Sequence, residues 1–518
     1  MNPFPRRKVI TDLSGETCLE RFPAPPRGAP EIFVGYPSTY SVAMSNLGFH
    51  YIFAEASRSG KFRVERFFSD TAPFTLETGR RLAEAVCLLI SVSYEEDYIN
   101  LVRMMIGSGI EVNREKRGGR PLVIVGGPAI SANPLPLSEI IDAAVIGEGE
   151  GTTASILEIL GGSEIEKTEK VVERLSDVDG IFIPGRKDSR AMFRKEKTRD
   201  VFPHSVIMTG KTVFPDTMLF ETGRGCPGAC GFCLATSIYR PYRPAALSPI
   251  VKALDDSLVR PPKVGIVSTA VTSHPQFEEL IDIFKKRDIQ IGLSSLSAEG
   301  IDSSTMGILS DAGVRSASLA PETGDESVRF QVGKRTADEV YINAAALLAE
   351  NGVRRISLYL MTGLPGEDDG IFESTGDFLG RLSKAAPGAS FSVHINTMVP
   401  KPWTPLQFFA MPEIQVIRRR LKGLSSVCRK AGMRAKTKSI RSSVRQAVLS
   451  LGDQRAGRAL IDYASGGASW KMALTSAGVD IGSVHRERGL DGNLPWYCIE
   501  GPSNHEALLK RYEGMVRR

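Results

Sequence analysis

From residue 31 onward, short continuous apolar runs alternate with segments whose apolar residues recur at helical spacing. EIFVGYP (31–37) reads as a buried strand and 41–58 as a helix. A strand over 62–68, the fully apolar AVCLLISVS (85–93), a helix over 95–107, a strand at LVIVGG (122–127), a short helix over 135–141 and a strand at AAVIG (143–147) continue the series. Apolar strands separated by helices predict an α/β fold, with a Rossmann-like, doubly wound parallel sheet covered on both faces. Ligands of such sheets sit at the carboxyl ends of the strands. The loops there are YPSTYSVAMSNLG, SVSYEED, GGPAISANP and GEGEG. Gly126 and Gly127 before Pro128, and the glycines of GEGEG, let backbone approach a flat or phosphate-bearing ligand. None of these loops carries a G-x-G-x-x-G, so a nicotinamide reading is weak.

A second strand and helix rhythm begins near Thr217. MLFET, KVGIVST, IQIGLSSLS, SASLAPETG, RRISLYLMTGLPGE and FSVHINTMVP are strand-to-loop segments, with helices near 245–256, 276–286, 302–312, 336–351 and 371–384. The remainder is mainly helical and reads as a cap over the mouth of this second domain. The plan is an arm over 1–28, the Rossmann-like domain over 29–162 and a linker over 163–216 that includes the charged RKDSRAMFRKEKTRD. The second α/β domain then occupies 217–408 and the helical C-terminal region 409–518.

The candidate chemistry sits in TGRGCPGACGFC (222–233), directly after the first strand of the second rhythm. Cys226, Cys230 and Cys233 stand at C-x3-C-x2-C spacing among Gly223, Gly225, Gly228 and Gly231, which permit a tight loop. Three thiolates on a four-iron cluster leave one iron open to a small molecule. Zinc needs a fourth ligand, and neither His204 nor His274 stands at finger-like spacing. Cys18, Cys87, Cys428 and Cys498 are scattered, which argues for a reducing compartment rather than a disulfide framework.

This triad, with Phe232 before its third cysteine, resembles the radical S-adenosylmethionine (radical SAM) superfamily. The resemblance implies a partial (β/α)6 barrel, a 4Fe-4S cluster, SAM on the open iron, and an electron donor such as flavodoxin or ferredoxin. It places Glu322 of SLAPETG by the ribose hydroxyls or SAM amino group, Gly363 and Gly366 of LMTGLPGE against the adenine, and Lys334 of QVGKR near the carboxylate. The usual G-G-E after the second strand reads VSTAVTS here, where Ser268 or Thr269 can substitute. MVPKPWTPLQ resembles the closing strand of methylthiotransferase-like members.

The first domain in turn resembles the cobalamin-binding domain of radical SAM proteins, in a subgroup with a YPxxYxxxMSNLG opening. This implies cobalamin near Tyr36, Ser38, Thr39, Ser45 and Asn46, near Ser91, Ser93 and Tyr94, near Gly126, Gly127 and Pro128, and near Gly147, Glu148 and Gly149. The D-x-H-x-x-G of histidine-ligated cobalamin domains is absent. His50 is the only histidine in this domain, so a bound cobalt would lack a histidine ligand. The implied function is a cobalamin-dependent methyltransferase. One SAM methylates cob(I)alamin, a second yields a 5′-deoxyadenosyl radical, and the substrate carbon radical takes the methyl group. Cyclisation, oxidation or methylthiolation, with RNA among the candidate substrates and the first domain as scaffold, is the second reading. A cobalamin- or redox-sensing RNA-binding protein is the third.

Bulk properties change this little. The 518 residues are 42% hydrophobic and 24% charged with net charge +6, ordinary for a soluble globular protein. No apolar run approaches the ~20 residues that span a bilayer, and MNPFPRRKVITDL has no signal core, so a cytoplasmic location is expected with no membrane partner. The basic stretch 418–445 reads either as a contact for RNA, a ribosome or an anionic substrate, or as a solvated helix face.

Overall fold

A computed structural model describes residues 13–162, 168–187, 191–195, 202–293, 296–311 and 313–516. Most of the charged linker RKDSRAMFRKEKTRD and the first twelve residues of the N-terminal arm lie outside these. The first sheet comprises β1 (Glu31–Tyr36), β2 (Arg63–Phe68), β3 (Cys87–Ser91), β4 (Leu122–Gly126), β5 (Ala143–Val145) and β6 (Ile181–Phe182), ordered β2-β1-β3-β4-β5-β6. Strands β1 to β5 are parallel and β6 runs antiparallel to β5. The order reverses between β1 and β3, and such a switch point opens a crevice at the strand ends.

The strands are apolar on both faces because both are covered. Ile32, Val34, Leu89 and Ile124 pack under the helices Leu47–Arg58, Thr152–Leu160 and Thr168–Ser176. Phe33, Leu88 and Val123 share a core with the helix Asp97–Gly107 and, from far along the chain, with Leu449, Leu460, Trp496 and Tyr512. The helix expected over 41–58 is broken into Tyr40–Ala43 and Leu47–Arg58. Asn46 forms the boundary: its side-chain oxygen accepts from Phe49 N at 2.9 Å and caps the second helix. The helix expected over 135–141 is instead Pro128–Ala132, followed by a 3₁₀ turn at Leu135–Leu137. Pro128 suits a first helical position, which starts the helix earlier than periodicity alone suggests.

The second domain contains β7 (Thr217–Glu221), β8 (Lys263–Val267), β9 (Gln290–Leu293), β10 (Ser316–Glu322), β11 (Arg355–Thr362), β12 (Ser390–Thr397) and β13 (Arg434–Thr437). Among the described residues they form two parallel sheets, β9-β8-β7 and β10-β11-β12-β13. The six expected strands are present, and β13 extends them from the region read as mainly helical. RAKT is too charged to resemble a buried strand, but an edge strand needs no apolar run. MVPKPWTPLQ is not a strand. It forms a loop with a 3₁₀ turn at Pro405–Phe408, in which Trp403 adopts φ 62° and its indole donates to Ala132 O at 3.0 Å. Within the mainly helical remainder, one helix spans Ile440–Leu451 and the next Gln454–Ala464, capped by Asp453.

The C-terminal region is thus a wedge between the two domains more than a lid on one. Asn133 Nδ2 donates to Ser450 O and Gly452 O at 3.1 and 2.7 Å, and Arg458 meets Glu139 at 2.7 Å.

Gly127 shows how tightly the switch-point region is packed. It sits at φ 115°, and a Cβ there would lie 2.4 Å from the Val92 carbonyl oxygen. Gly127→Ala is therefore expected to destabilise the first domain by about 1–3 kcal/mol, read as a lowered urea midpoint of the full-length chain.

Candidate functional site

The carboxyl ends of β3, β4 and β5 face the cysteine loop across one cavity of about 620 Å³. From the first domain, Ser45, Asn46, Ser91, Ser93, Gly126, Gly127, Pro128, Gly147, Glu148 and Gly149 line it. From the second come Glu221, Gly223, Arg224, Gly225, Val267, Ser268 and Thr269. Of the residues expected around the cluster and SAM, Ser268 and Thr269 line this space, and the loop that carries the cysteines borders it through Gly223, Arg224 and Gly225; Cys226, Cys230, Cys233, Phe232, Glu322, Lys334, Gly363 and Gly366 do not line it.

Other expected residues lie elsewhere. Tyr36 is buried and hydrogen-bonded to Ser93. Ser38 N donates to Tyr36 O in a turn, and the Thr39 carbonyl starts the helix Tyr40–Ala43 by accepting from Val42 and Ala43. None of these three lines the cavity. Tyr94 turns to the C-terminal wedge, donating to Gln446 Oε1 at 2.9 Å with the Lys438 ammonium over its ring. Its neighbours do likewise: Glu95 pairs with Lys401 and Gln446, and Glu96 with Arg445 at 2.6 Å. SVSYEED thus contributes Ser91 and Ser93 to the cavity, while Glu95 and Glu96 bind the wedge at Gln446 and Arg445 and Glu95 also meets Lys401 after β12.

The cysteine loop leaves β7 through a two-residue antiparallel pairing of Gly223–Arg224 with Arg243–Pro244. Gly225 sits at φ 85°, and a Cβ there would stand 2.3 Å from the Tyr239 carbonyl oxygen, so no other residue fits. Thr236 Oγ1 donates to the carbonyls of Cys230 and Cys233 at 3.0 and 2.9 Å, and Gly231 N donates to Val332 O at 2.8 Å. Burial pushes the Cys230 thiol up to about 12, opposed chiefly by the Lys334 ammonium, and burial also raises Cys233. Iron must displace those protons to bind. The sulfurs of Cys226 and Cys230 both flank Gly228. Among the described residues no three His, Cys, Asp or Glu side chains stand close enough for a single metal ion. Three cysteine thiolates on one tight loop are the donor set of a four-iron cluster with one open iron.

Beside the loop, Glu322 ends the bulged strand β10 at φ 69° and meets Lys334 Nζ at 3.1 Å. Burial pushes its carboxyl up against the pull of Lys334. Gly363 and Gly366 have φ 97° and 78° in a turn fastened by Glu367, which accepts from the amides of Gly363 and Leu364 and pairs with Arg420. Phe232 packs with Leu364, Met398, Leu406 and Met515, anchoring the cysteine loop to that turn and to the C-terminal helix His505–Val516.

Two family models match the chain: Radical SAM proteins, N-terminal, over residues 52–184, and Radical SAM superfamily over 220–379. The chain is a radical SAM protein. Its cofactors are a 4Fe-4S cluster and SAM. The uncharacterized protein MJ0966 of Methanocaldococcus jannaschii is 26% identical over 444 residues, 85% of this chain and 92% of that one. Among solved structures, the cobalamin-dependent S-adenosylmethionine radical enzyme OxsB with aqua-cobalamin bound matches with TM-score 0.53 and 13% identity, over 95% of this chain and 80% of that one. Its apo, selenomethionine-labelled form matches with TM-score 0.51 and 15% identity, over 95% and 79%. These two likenesses establish a shared fold.

Sequence reasoning missed one feature of this radical SAM protein. Arg224, two residues before Cys226, lies 3.2 Å from Glu148 and 2.6 Å from both Glu150 and Glu221, and Arg243 also grips Glu148. The acids of GEGEG were visible in the sequence. Their partners, some 74 to 95 residues away, were not.

Two outcomes follow. Cys226→Ala is expected to lose most of the about four irons and four sulfides bound per reconstituted chain, measured by iron and sulfide analysis. Asp97, at the start of the helix after SVSYEED, has its pKa pushed up to about 7, first by burial and further by Glu96 and Glu95, against a hydrogen bond from Asn100. A folded pKa above the unfolded value near 3.9 means that this group's contribution is intact below that value and is lost as pH rises through about 7. Asp97→Asn should therefore gain roughly 3–4 kcal/mol over wild type at pH 8.5 and progressively less toward pH 5, read from urea unfolding.

Proposed function

We propose that this radical SAM protein is a cobalamin-dependent methyltransferase acting on an unactivated carbon. The observation that carries the reading is the single cavity walled on one side by the strand ends of the first sheet and on the other by the loops at Gly225 and Ser268. The fold shared with OxsB, a cobalamin-dependent enzyme by its description, supports it. When bound, the corrin supplies a methyl group, and the cluster with SAM supplies a hydrogen-abstracting radical.

The chain's own residues bind and orient these groups. Ile52, Leu89, Ile124, Val145 and Ile156 form an apolar slot between the helices Leu47–Arg58 and Thr152–Leu160, which fits a flat heteroaromatic tail. Ser45, Asn46, Ser91 and Ser93 offer hydroxyl and amide groups at its mouth, with Asn46 Nδ2 donating to Ser93 Oγ at 3.2 Å. His50 does not face this space. It is fully buried, its Nε2 lies 3.0 Å from Met44 O, and burial lowers its pKa to about 4, which keeps it neutral and internally bonded. This agrees with a cobalt that takes no protein histidine.

Cys226, Cys230 and Cys233 hold the cluster in this reading, with Glu322, Lys334, Ser268, Phe232 and the turn at Gly363 and Gly366 around SAM. The inner face of β11 and β12 presents Tyr359, 39% exposed, stacked on His394 at 5.0 Å, as a surface for the substrate. The tip of the cysteine loop exposes Pro227 and Ala229 beside Arg240 and Arg511, a cationic rim suited to an acidic flavodoxin or ferredoxin. Part of the 418–445 stretch is engaged internally, with Arg420 on Glu367 and Arg445 on Glu96, so we assign packing to it before RNA or ribosome contact. No helix among the described residues is long and apolar enough to cross a membrane, and all seven cysteines are free, in keeping with a cytoplasmic setting.

Titration of the reconstituted chain with hydroxocobalamin should give saturable binding near one corrin per chain. Reductant, methyl-labelled SAM and cell extract should then yield a labelled product together with 5′-deoxyadenosine. Corrin binding no stronger than that of a Ser91→Trp, Thr153→Trp variant with a filled slot would overturn the cobalamin reading.

A further inference from the structure

We propose that Arg224 is a positioning residue that fixes the loop carrying Glu148 and Glu150 to the cysteine loop, so that the two halves of the cavity keep one separation. The inference draws on the reading above only for the identity of the cofactor in the first half. Arg224 has 14% of its side chain exposed and the Glu148 carboxylate 1%. One guanidinium nitrogen faces Glu148 at 3.2 Å, and another lies 2.6 Å from both Glu150 and Glu221. Glu148 and Glu150 belong to the loop after β5, whereas Glu221 ends β7, so a single planar fork joins the two domains beside Cys226.

Both anchors run close against neighbouring backbone. A Cβ on Gly147 would lie 2.2 Å from the Arg194 carbonyl oxygen, and one on Gly225 lies equally close to backbone at Tyr239. The two loops are therefore held by backbone packing while the charges join them. The chemistry requires arginine, because a guanidinium presents donors to several carboxylates in fixed directions and an ammonium offers only a compact point charge. Buried ion pairs add little net stability, so a network of this size is better explained by the geometry it enforces. Glu148, Glu150, Glu221 and Arg224 also line the cavity, so a ligand there touches the clamp directly. Ordering the cysteine loop should then order the loop of Glu148, and the reverse, by linkage.

The test uses the full-length chain under anaerobic conditions. Amide hydrogen exchange of the peptide spanning 147–151 is compared before and after cluster reconstitution. In wild type, cluster assembly should slow exchange there about tenfold. In Arg224→Gln the slowing should fall to a small fraction, because of this network only the Arg243–Glu148 pair still crosses between the domains, and in Arg224→Lys it should return in part. Arg243 still pairs Glu148 in the glutamine variant, which leaves that carboxylate partnered. Glu150→Gln, which removes one arm only, should reduce the slowing should Arg224→Gln fail to fold. As a second readout, hydroxocobalamin should shift the electron paramagnetic resonance spectrum of the reduced, SAM-bound cluster in wild type and not in Arg224→Gln. Protection in Arg224→Gln equal to that in wild type, or no protection in wild type, would overturn the clamp. Absence of hydroxocobalamin binding with the exchange difference intact would sink the cobalamin reading and leave the clamp standing.

Discussion

A guanidinium enclosed by three carboxylates at the boundary of two domains is the constraint on which the site depends. Parallel sheets place their ligands at one end only, so two such domains share a cavity only when their carboxyl ends face each other. Apolar packing alone specifies that orientation loosely, because it is non-directional. Arg224 and Arg243, meeting Glu148, Glu150 and Glu221, add direction at the point where the two sets of loops meet. The same groups form part of the cavity wall, so the contact that orients the domains also gives the shared space its polarity.

The second element that sets this orientation comes from the end of the chain. Gln407, fully buried, accepts from Trp403 N and Trp496 Nε1 at 2.9 and 3.0 Å and donates to Tyr497 Oη at 2.9 Å. This ties the loop after β12 to the last 3₁₀ turns, and Trp403 carries the tie onto Ala132 in the first domain. The C-terminal helix then reaches the cysteine loop, where Arg511 donates to Ala229 O at 3.0 Å and Met515 fills the space over Gly231. The wedge thus contacts both domains, and its helices bury the sheet face of Phe33 and Val123, which needs cover from some element.

Much of this was legible in the sequence. The parallel sheets follow from apolar runs at regular spacing, and the cysteine triad from its spacing alone, because those signals are local. Features set by distant partners were not legible. Strand β13 reads RAKT, whose charges conceal a strand that pairs with β12. Tyr94 of SVSYEED is expected near the cobalamin, yet it bonds Gln446, 352 residues on. The glycines at 127 and 147 read as room for a ligand, while the backbone of Val92 and Arg194 already occupies the space a side chain would need. One sequence shows which residues have unusual chemistry or freedom, and tertiary contact decides what uses it.

Glu322 illustrates how such a use is enforced. A non-glycine residue at φ 69° is strained, and it persists only where its surroundings over-determine the backbone. Arg329 supplies that determination. It is fully buried, its guanidinium donates to Pro321 O at 3.0 Å and Thr323 O at 2.7 Å on either side of Glu322, and it reaches Thr336 O and Asp338 at 3.1 and 2.8 Å. Tyr341 and Phe378 lie within 5.2 and 5.3 Å of the same group and close it off. With both flanking carbonyls pinned, the Glu322 carboxylate is held against Lys334 beside the cysteine loop. The strain is thus balanced by six hydrogen-bonding and aromatic partners of a residue that lies behind the site, and the acid that faces the cluster loop is held in place from the rear.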